Sequence, residues 1–270
     1  MSISNMSFLG RIGYLLQRYG TSYLKGAGTT LVIALVSTAI GCLIGFVVGV
    51  VQTIPVDKKR DSAAKRGLLR VVKIILKAYV ELFRGTPMIV QAVFIYYALL
   101  DVIHWNNFTA ACFVITVNTG AYMAEIIRSG IQAVDIGQTE AARSLGMSNA
   151  QTMFSVVLPQ AIKNAFPAIG NELIVNIKDS SVLMIISITE LMFQSKSIAG
   201  STFQFTTVYF IEAMMYLILT SVCALILNLI EKKLNNDTTV SLPMSSTEPR
   251  SISYIEVKEQ KGANSDYVSR

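Results

Sequence analysis

The sequence predicts an all-α membrane protein with five transmembrane helices. The chain has 270 residues, of which 52% are hydrophobic and only 15% are charged, whereas about 25% of the residues of a typical soluble domain are charged. Its mean hydropathy is +0.51. Five segments contain the roughly 20 apolar residues that a helix needs to cross a bilayer. The net charge of +6 comes from loops and tails, which fits membrane topology better than nucleic-acid binding.

Residues 1–19 are predicted to lie at the membrane surface, before the first span. They contain no continuous apolar core and no small-residue cleavage site, so we do not expect a signal peptide. Residues 6–19 can form an amphipathic helix parallel to the bilayer. The apolar side of this helix would consist of Phe8, Ile12, Leu15 and Leu16.

The membrane domain is predicted to extend over residues 20–234. Its second and fourth apolar segments are long and interrupted. The five predicted spans are 22–52, 67–101, 105–133, 160–188 and 205–232. In the first span, Gly41, Gly45 and Gly49 repeat every four residues, which lets another helix approach closely. Residues 235–270 are polar, lack apolar periodicity and are predicted to form a disordered cytoplasmic tail.

The distribution of Lys and Arg predicts the orientation, because cytoplasmic loops carry an excess of these residues. The 53–66 loop contains five of them, the 102–107 turn none, and the 189–204 connection only Lys196. We therefore expect the 53–66 loop and the C-terminus in the cytoplasm and the N-terminus outside. Three basic residues near the N-terminus go against this rule, which the predicted surface helix would explain.

A polar segment, 134–159, separates the third and fourth spans and is predicted to contain two short helices. Asp135 can cap a helix that begins at Ile136, with Gln138 in the capping-box position. Gly146 can end this helix. The alternative is an ordinary connecting loop, which the combination of a cap and a stop disfavours.

The second short helix would begin at Ser148 or Asn149, either of which can cap it, and would continue to Pro159.

Three residues of the first helix, Ala141, Ala142 and Leu145, would form a small apolar face. Such a face is suited to insertion into a groove of another protein.

The polar segment resembles the EAA signature of ABC importer permeases. The matching residues, with matching spacing, are Glu140, Ala141, Ala142, Gly146, Leu158 and Pro159. Four other stretches resemble the type I permeases of the histidine, glutamine and arginine uptake family: 79–87, 118–122, 170–173 and 178–181. The resemblance covers about residues 20–234. Asp135 departs from the family, which usually has proline at this position.

This resemblance implies a five-helix type I importer permease with a cytoplasmic coupling helix, in a bacterial cell membrane. In the family, a separate ATP-binding cassette ATPase hydrolyses Mg-ATP and holds the coupling helix in a cleft. An extracytoplasmic solute-binding protein delivers a polar amino acid, and two permeases, identical or paralogous, form the path. The residues implied to couple to the ATPase are Glu140, Ala141, Ala142, Leu145, Gly146, Leu158 and Pro159.

The residue types that catalysis and metal binding require are scarce. No cysteine pair has metal-ligand spacing, and the HExxH and GxSxG motifs do not occur. The chain has no Gly-Lys dipeptide and therefore no phosphate-binding P-loop. We expect no enzymatic activity, no metal site and no bound cofactor, so that nucleotide energy must come from a partner.

Ionisable residues within spans are candidates for function, because burying a charge in lipid costs at least about 2.5 kcal/mol. In the second span, Glu81 and Arg84 can pair on one helix face, and Thr86-Pro87 breaks the helix just beyond them. Broken helices commonly expose backbone groups to substrate. Arg84 and Thr86 are therefore candidates for the substrate path, with a self-satisfied ion pair at a kink as the alternative.

In the third span, Asn118, Tyr122 and Glu125 form one polar stripe, and Arg128 can neutralise Glu125. We interpret Glu125 as structural. Asn118 could line the path or bind neighbouring helices.

In the fourth span, Glu172 and Asp179 are seven residues apart and share a helix face that Asn176 extends. These carboxylates could accept the ammonium group of an amino acid. The alternative is that they pair with Lys178 or with a neighbouring helix.

Two other classes of function remain as alternatives. An ion-gradient-driven secondary transporter would be expected to have two inverted halves, into which five spans cannot be divided. A membrane-embedded enzyme is disfavoured because hydrolase motifs are missing and His104 is the only histidine.

Overall fold

The computed structural model describes residues 6–56 and 62–236, and its described residues form helices and connecting turns without any strand. Contacts within the chain group residues 1–232 into one compact unit and 233–270 into a second. The helices are α1 (Phe8–Thr53), α2 (Ala63–Gly85), α3 (Met88–Ile103), α4 (Asn107–Gln132), α5 (Ile136–Ser144), α6 (Asn149–Thr152), α7 (Leu158–Asp179), α8 (Leu191–Thr202) and α9 (Phe205–Asn236). A π-helical turn, Met153–Val157, precedes α7, and a 3₁₀ helix, Ser180–Ile186, follows it.

The first helix, α1, is longer than the sequence predicts. It runs without interruption for 46 residues, about 69 Å at the rise of an α-helix, so no helix end separates residues 6–19 from the first span. Leu15, on the predicted lipid-facing side, is fully buried in a cluster with Leu191 and Val208. Phe8 packs edge-to-face on Phe210. The prediction of a separate surface helix is therefore corrected: residues 8–19 belong to α1, and Leu15 and Ile12 of the predicted apolar side pack against protein, whereas Leu16 is 44% exposed.

The glycine ridge of α1 packs directly on α4. A Cβ atom at Gly41 would lie 2.8 Å from the Thr119 side chain, and one at Gly45 would overlap Met123. Real Cβ atoms do not approach other atoms so closely, so any side chain at these positions would push the helices apart. The predicted packing role of the ridge agrees with this geometry.

The second predicted span is divided into α2 and α3. The chain bends by 115° between these helices, at Gly85-Thr86-Pro87. The break lies where the sequence predicts it, but the two helices do not form one straight span. The fourth span is also bent, by 54°, between the helical run Asn149–Ile186 and α8. Among the described residues, three helices are long and apolar enough to cross a membrane, or five spans result if each bent pair counts as one.

The polar segment contains the predicted caps and stop. The Asp135 carboxylate accepts a hydrogen bond from the Gly137 N–H group at the start of α5. Gly146 has a φ of +82°, a left-handed conformation that glycine adopts without strain. Ser148 and Gln151 form a complete capping box at the start of α6.

The second short helix does not end at Pro159. The π-helical turn joins α6 to α7, so the helix that begins at Asn149 continues into the fourth span. Pro159 lies in the first turn of α7, directly after the π-helical turn. Proline has no backbone N–H group, and at the start of a helix the loss of this donor costs little stability. The predicted start of the fourth span at residue 160 is therefore corrected. Of the predicted tail, residues 237–270 lie outside the described residues.

Candidate functional site

The first part of the candidate site is the exposed surface of α5. Leu145 has 84% of its surface exposed, and Ile136 and Phe154 are also largely exposed. Ala141 is exposed on the same helix, whereas Ala142 is buried against the rest of the chain. The prediction that these two alanines and Leu145 share one face is therefore wrong: Ala142 anchors the helix and the other two point away from it.

The remaining EAA residues support α5 or lie beside it. Leu158 is buried at the start of α7, while Pro159 is exposed. Glu140 is exposed and, with Arg143, lines a cavity of about 640 Å³ between α5 and the ends of α1 and α4. The backbone N–H of Gly146 donates to the carbonyl of Arg143 and so closes the helix.

The second part of the candidate site lies around the break between α2 and α3. Sequence reasoning missed its central residue, Gln91, which is buried. The Gln91 amide nitrogen donates to the carbonyl oxygens of Phe83 (2.8 Å) and Thr86 (2.9 Å) and to Thr86 Oγ1 (2.8 Å). Asn118 Nδ2 donates to Gln91 Oε1 at 2.8 Å. The sequence feature that could have identified Gln91 is its position in an apolar helix, four residues after the helix-breaking Pro87.

This network changes the interpretation of two predicted path residues. Gln91 satisfies the Phe83 and Thr86 carbonyl groups at the break, so these two groups are not free to bind a substrate. Thr86 and Asn118 serve in the same network, since Thr86 Oγ1 also donates to the Leu82 carbonyl. For Asn118 the structure favours hydrogen bonding between helices over direct lining of a path.

The ion pairs around the break differ from the predicted ones. Glu81 pairs with Lys77 at 3.5 Å, and Arg84 lies 3.8 Å from Glu125 on α4. The predicted Glu81–Arg84 pair is therefore wrong. Glu125 also forms the predicted ion pair with Arg128, through two hydrogen bonds. The Arg84 guanidinium lies over the Tyr122 ring, 5.5 Å from its centroid.

The third part of the site is α7. Asn176 is fully buried and donates to Thr38 Oγ1 at 2.8 Å and to Thr119 Oγ1 at 3.0 Å, which ties α7 to α1 and α4. Glu172 is only 7% exposed. Among the described residues no protein group donates a hydrogen bond to Glu172, whose oxygens keep some solvent contact, whereas Glu212 Oε2 on α9 is fully enclosed and also has no partner.

A further polar cluster, missed by sequence reasoning, joins α8 to α9. The buried Glu190 caps α8 by accepting hydrogen bonds from the N–H groups of Met192 (2.8 Å) and Phe193 (2.7 Å). Tyr216 on α9 donates to the same carboxylate at 3.1 Å. These contacts hold the start of α8, just after the bend in the fourth span, against the middle of α9, and they give Glu190 a structural role.

The sequence of residues 62–236 matches the family described as "Binding-protein-dependent transport system inner membrane component". A probable amino-acid ABC transporter permease, YckA of Bacillus subtilis, is 36% identical over 78% of this chain and 88% of its own length. The glutamine transport system permease GlnP of Escherichia coli is 33% identical over 78% and 92%. The arginine transport system permease ArtQ of Bacillus subtilis is 33% identical over 79% and 93%.

Solved structures show the same fold. A chain of an amino acid ABC transporter crystallised with histidines superposes with a TM-score of 0.73 at 35% identity, covering 85% of this chain and 99% of that one. A chain of the inward-facing MetNI methionine ABC transporter gives a TM-score of 0.69 at 23% identity, covering 80% and 98%. The chain therefore belongs to the family of binding-protein-dependent transport system inner membrane components, the permeases of ABC importers.

Proposed function

We propose that this permease forms half of a translocation path for a polar amino acid and receives its driving force through α5. The chain is a membrane subunit without enzymatic activity, and ATP hydrolysis is done by the partner ATPase. A second permease, identical or paralogous, completes the path. An extracytoplasmic solute-binding protein delivers the amino acid. The relatives named for glutamine and arginine transport support this class of solute.

The single observation that carries the proposal is the placement of Glu172. Glu172 is a largely buried acidic residue of the membrane domain to which no described protein group donates a hydrogen bond, and ionisable residues in such positions mark solute pathways. Asp179 lies seven residues further along the same face of α7, and Arg84 lies on α2, beside Glu125 of α4. Glu172 and Asp179 would bind the ammonium group of an amino acid, and Arg84 would bind its carboxylate.

Arg84 is suited to this task because its side chain is partly exposed and its ion pair with Glu125 is long, at 3.8 Å. Asn118, Thr86 and Asn176 contribute indirectly, by holding α2, α3, α4 and α7 in place around the charged groups.

The exposed surface of α5 would sit in a cleft of the ATPase. Leu145 and Ala141 point away from the chain while Ala142 and Leu158 hold the segment to the membrane domain. We expect an inward-facing resting state, from which ATP-driven closure of the ATPases moves the paired α5 helices together as rigid bodies and opens the path outward.

Substitution of Glu172 tests the proposal. Glu172→Gln removes the charge and keeps the size, and the loss of a hydrogen bond to a charged group, about 1.5–3 kcal/mol, should lower uptake about tenfold or more. Uptake of radiolabelled glutamine and arginine is measured in cells that contain the complete importer, and solute-stimulated ATP hydrolysis in reconstituted vesicles. Glu231→Gln, near the C-terminal end of α9, removes the same charge from another helix, is the matched control and should keep full activity. Unchanged uptake and unchanged ATPase stimulation by Glu172→Gln would exclude the proposed site.

A further inference from the structure

One face of α2 is basic along most of its length. Arg66, Arg70, Lys73 and Lys77 follow one another at spacings of four, three and four residues, which places them on the same side of the helix. Together with Val56 and Ile74, these four residues line a groove of about 590 Å³. We call these four residues the basic face of α2.

The basic face leads directly to the charged groups of the candidate site. Lys73 and Lys77 also line a second cavity, of about 480 Å³, in which Arg84 and Arg128 add two further cations. Among the described residues, only two carboxylates line this cavity, those of Glu81 and Glu125. The groove and the cavity share Lys73 and Lys77, so they form one continuous polar surface from Arg66 to Arg84.

The ion pairs around Lys77 and Arg84 do not remove the positive charge of this part of the surface. Lys77 and Glu81 are both largely exposed, and a pair of this kind is worth about 0–1 kcal/mol. Glu125 is shared between Arg128 and Arg84. Lys73 Nζ donates to the carbonyl of Ile54 at 2.6 Å, which holds the ammonium group at the junction of the groove and the cavity without neutralising it.

A surface of this charge cannot face the hydrocarbon core, because each basic residue at the centre of a span costs at least about 2.5 kcal/mol. It must face water or anionic groups. Its continuity with Arg84, to which the proposed function assigns the solute's carboxylate, favours a water-filled route over a binding site for lipid headgroups.

We propose that the basic face of α2 lines the cytoplasmic part of the solute path and selects amino acids with an amide or carboxylate side chain over those with a cationic one. This inference rests on the proposed function. If Arg84 binds the solute's carboxylate, the solute's side chain can extend into the cavity that Arg84 shares with Lys77 and Lys73. Amide and carboxylate oxygens accept hydrogen bonds from these ammonium groups, whereas a guanidinium or ammonium group is repelled.

The test measures solute binding to the purified permease–ATPase complex in lipid nanodiscs, without nucleotide and without the solute-binding protein, whose own specificity would otherwise dominate. Calorimetry gives the affinities for glutamate, glutamine and arginine. At about 0.05 M salt we expect glutamate and glutamine to bind at least tenfold more tightly than arginine. The preference should shrink at about 0.5 M salt, where charges are screened.

Lys73→Gln/Lys77→Gln should reduce the glutamate-to-arginine affinity ratio by about tenfold. Lys77→Gln alone should reduce it about threefold and does not touch the contact between Lys73 and Ile54, which guards against a folding defect. Lys196→Gln, an exposed lysine of α8, removes the same charge elsewhere and should leave the ratio unchanged.

Three outcomes would overturn the inference: arginine binding most tightly to the wild type, an unchanged ratio in both basic-face variants, or variants that alter only the response to phosphatidylglycerol in the nanodiscs. The last result would make the basic face a lipid site. In each of these cases the proposed function stands if Glu172→Gln still abolishes binding of the solute. If no amino acid binds and Glu172→Gln is without effect on uptake, both proposals fail.

Discussion

At the residue scale, Gln91 satisfies the polar groups that the break between α2 and α3 leaves open. One amide side chain serves two carbonyl groups, one hydroxyl group and Asn118. A polar group buried without a partner costs about 1–3 kcal/mol. A single buried glutamine thus stabilises the sharp turn between α2 and α3.

We predict that Gln91→Leu destabilises the membrane domain by about 2–4 kcal/mol, because it leaves the Phe83 and Thr86 carbonyl groups and the Asn118 amide without this partner. Thermal unfolding of the purified protein in detergent measures the effect. Gln132→Leu, at the exposed end of α4, is the control and should change stability by less than about 0.5 kcal/mol. An equally small effect of Gln91→Leu would show that the network does not support the break.

At the scale of helices, the contact between α1 and α4 depends on missing side chains. Gly41 and Gly45 allow the α1 backbone to touch Thr119 and Met123, and Asn176 then joins the same two helices to α7. The charged groups of the candidate site are carried by α2, α4 and α7. The close approach of α1 to α4 therefore fixes the positions of groups that lie on other helices.

We predict that Gly45→Ala destabilises the domain by about 1–3 kcal/mol, because the added methyl group overlaps Met123 and α4 must move. Gly28→Ala, on the same helix in open space, should instead stabilise it by about 0.5–1 kcal/mol. The two variants are compared by thermal unfolding in one detergent. If Gly45→Ala raised the unfolding temperature as Gly28→Ala does, the close-packing argument would be refuted.

The exposed surface of α5 gives a second prediction at this scale. Leu145→Lys should leave the stability of the permease unchanged, since the side chain is exposed, but should lower uptake and solute-stimulated ATP hydrolysis at least tenfold. Ala133→Lys, on the exposed residue before the helix, is the control for added charge. Retention of the ATPase in a fully active complex with Leu145→Lys would contradict the coupling role of this surface.

Local features of the sequence were sufficient to predict how helices begin and end. The Asp135 cap, the Gly146 stop and the Ser148 cap depend on residues at most three positions away, and the structure has all three. The partners of Arg84 and the burial of Leu15 could not be predicted in this way. Both depend on contacts between residues that are about 40 or more positions apart. For Arg84, Glu81 on the same helix was an equally plausible partner. For Leu15, the lipid surface was an equally plausible environment.

At the scale of the whole molecule, the described membrane domain leaves large apolar surfaces without a partner. The most apolar stretch of α9 has none of its residues buried within the chain, and the apolar side of α2 exposes Leu68, Val71 and Ile75. Contiguous apolar surfaces of this extent face either lipid or another subunit.

The last prediction concerns orientation, which the proposed function requires: α5 must face the ATPase in the cytoplasm. We expect Ser144→Cys, on α5, to react with a membrane-impermeant maleimide only after cells are permeabilised. Ser201→Cys, in the 189–204 connection, should react in intact cells. Both residues are exposed, and the three native cysteines, which are partly buried, are first replaced by alanine. The reverse labelling pattern would place α5 outside the cell, where no ATPase can reach it. It would also show that the excess of basic residues in the 53–66 loop does not hold that loop in the cytoplasm.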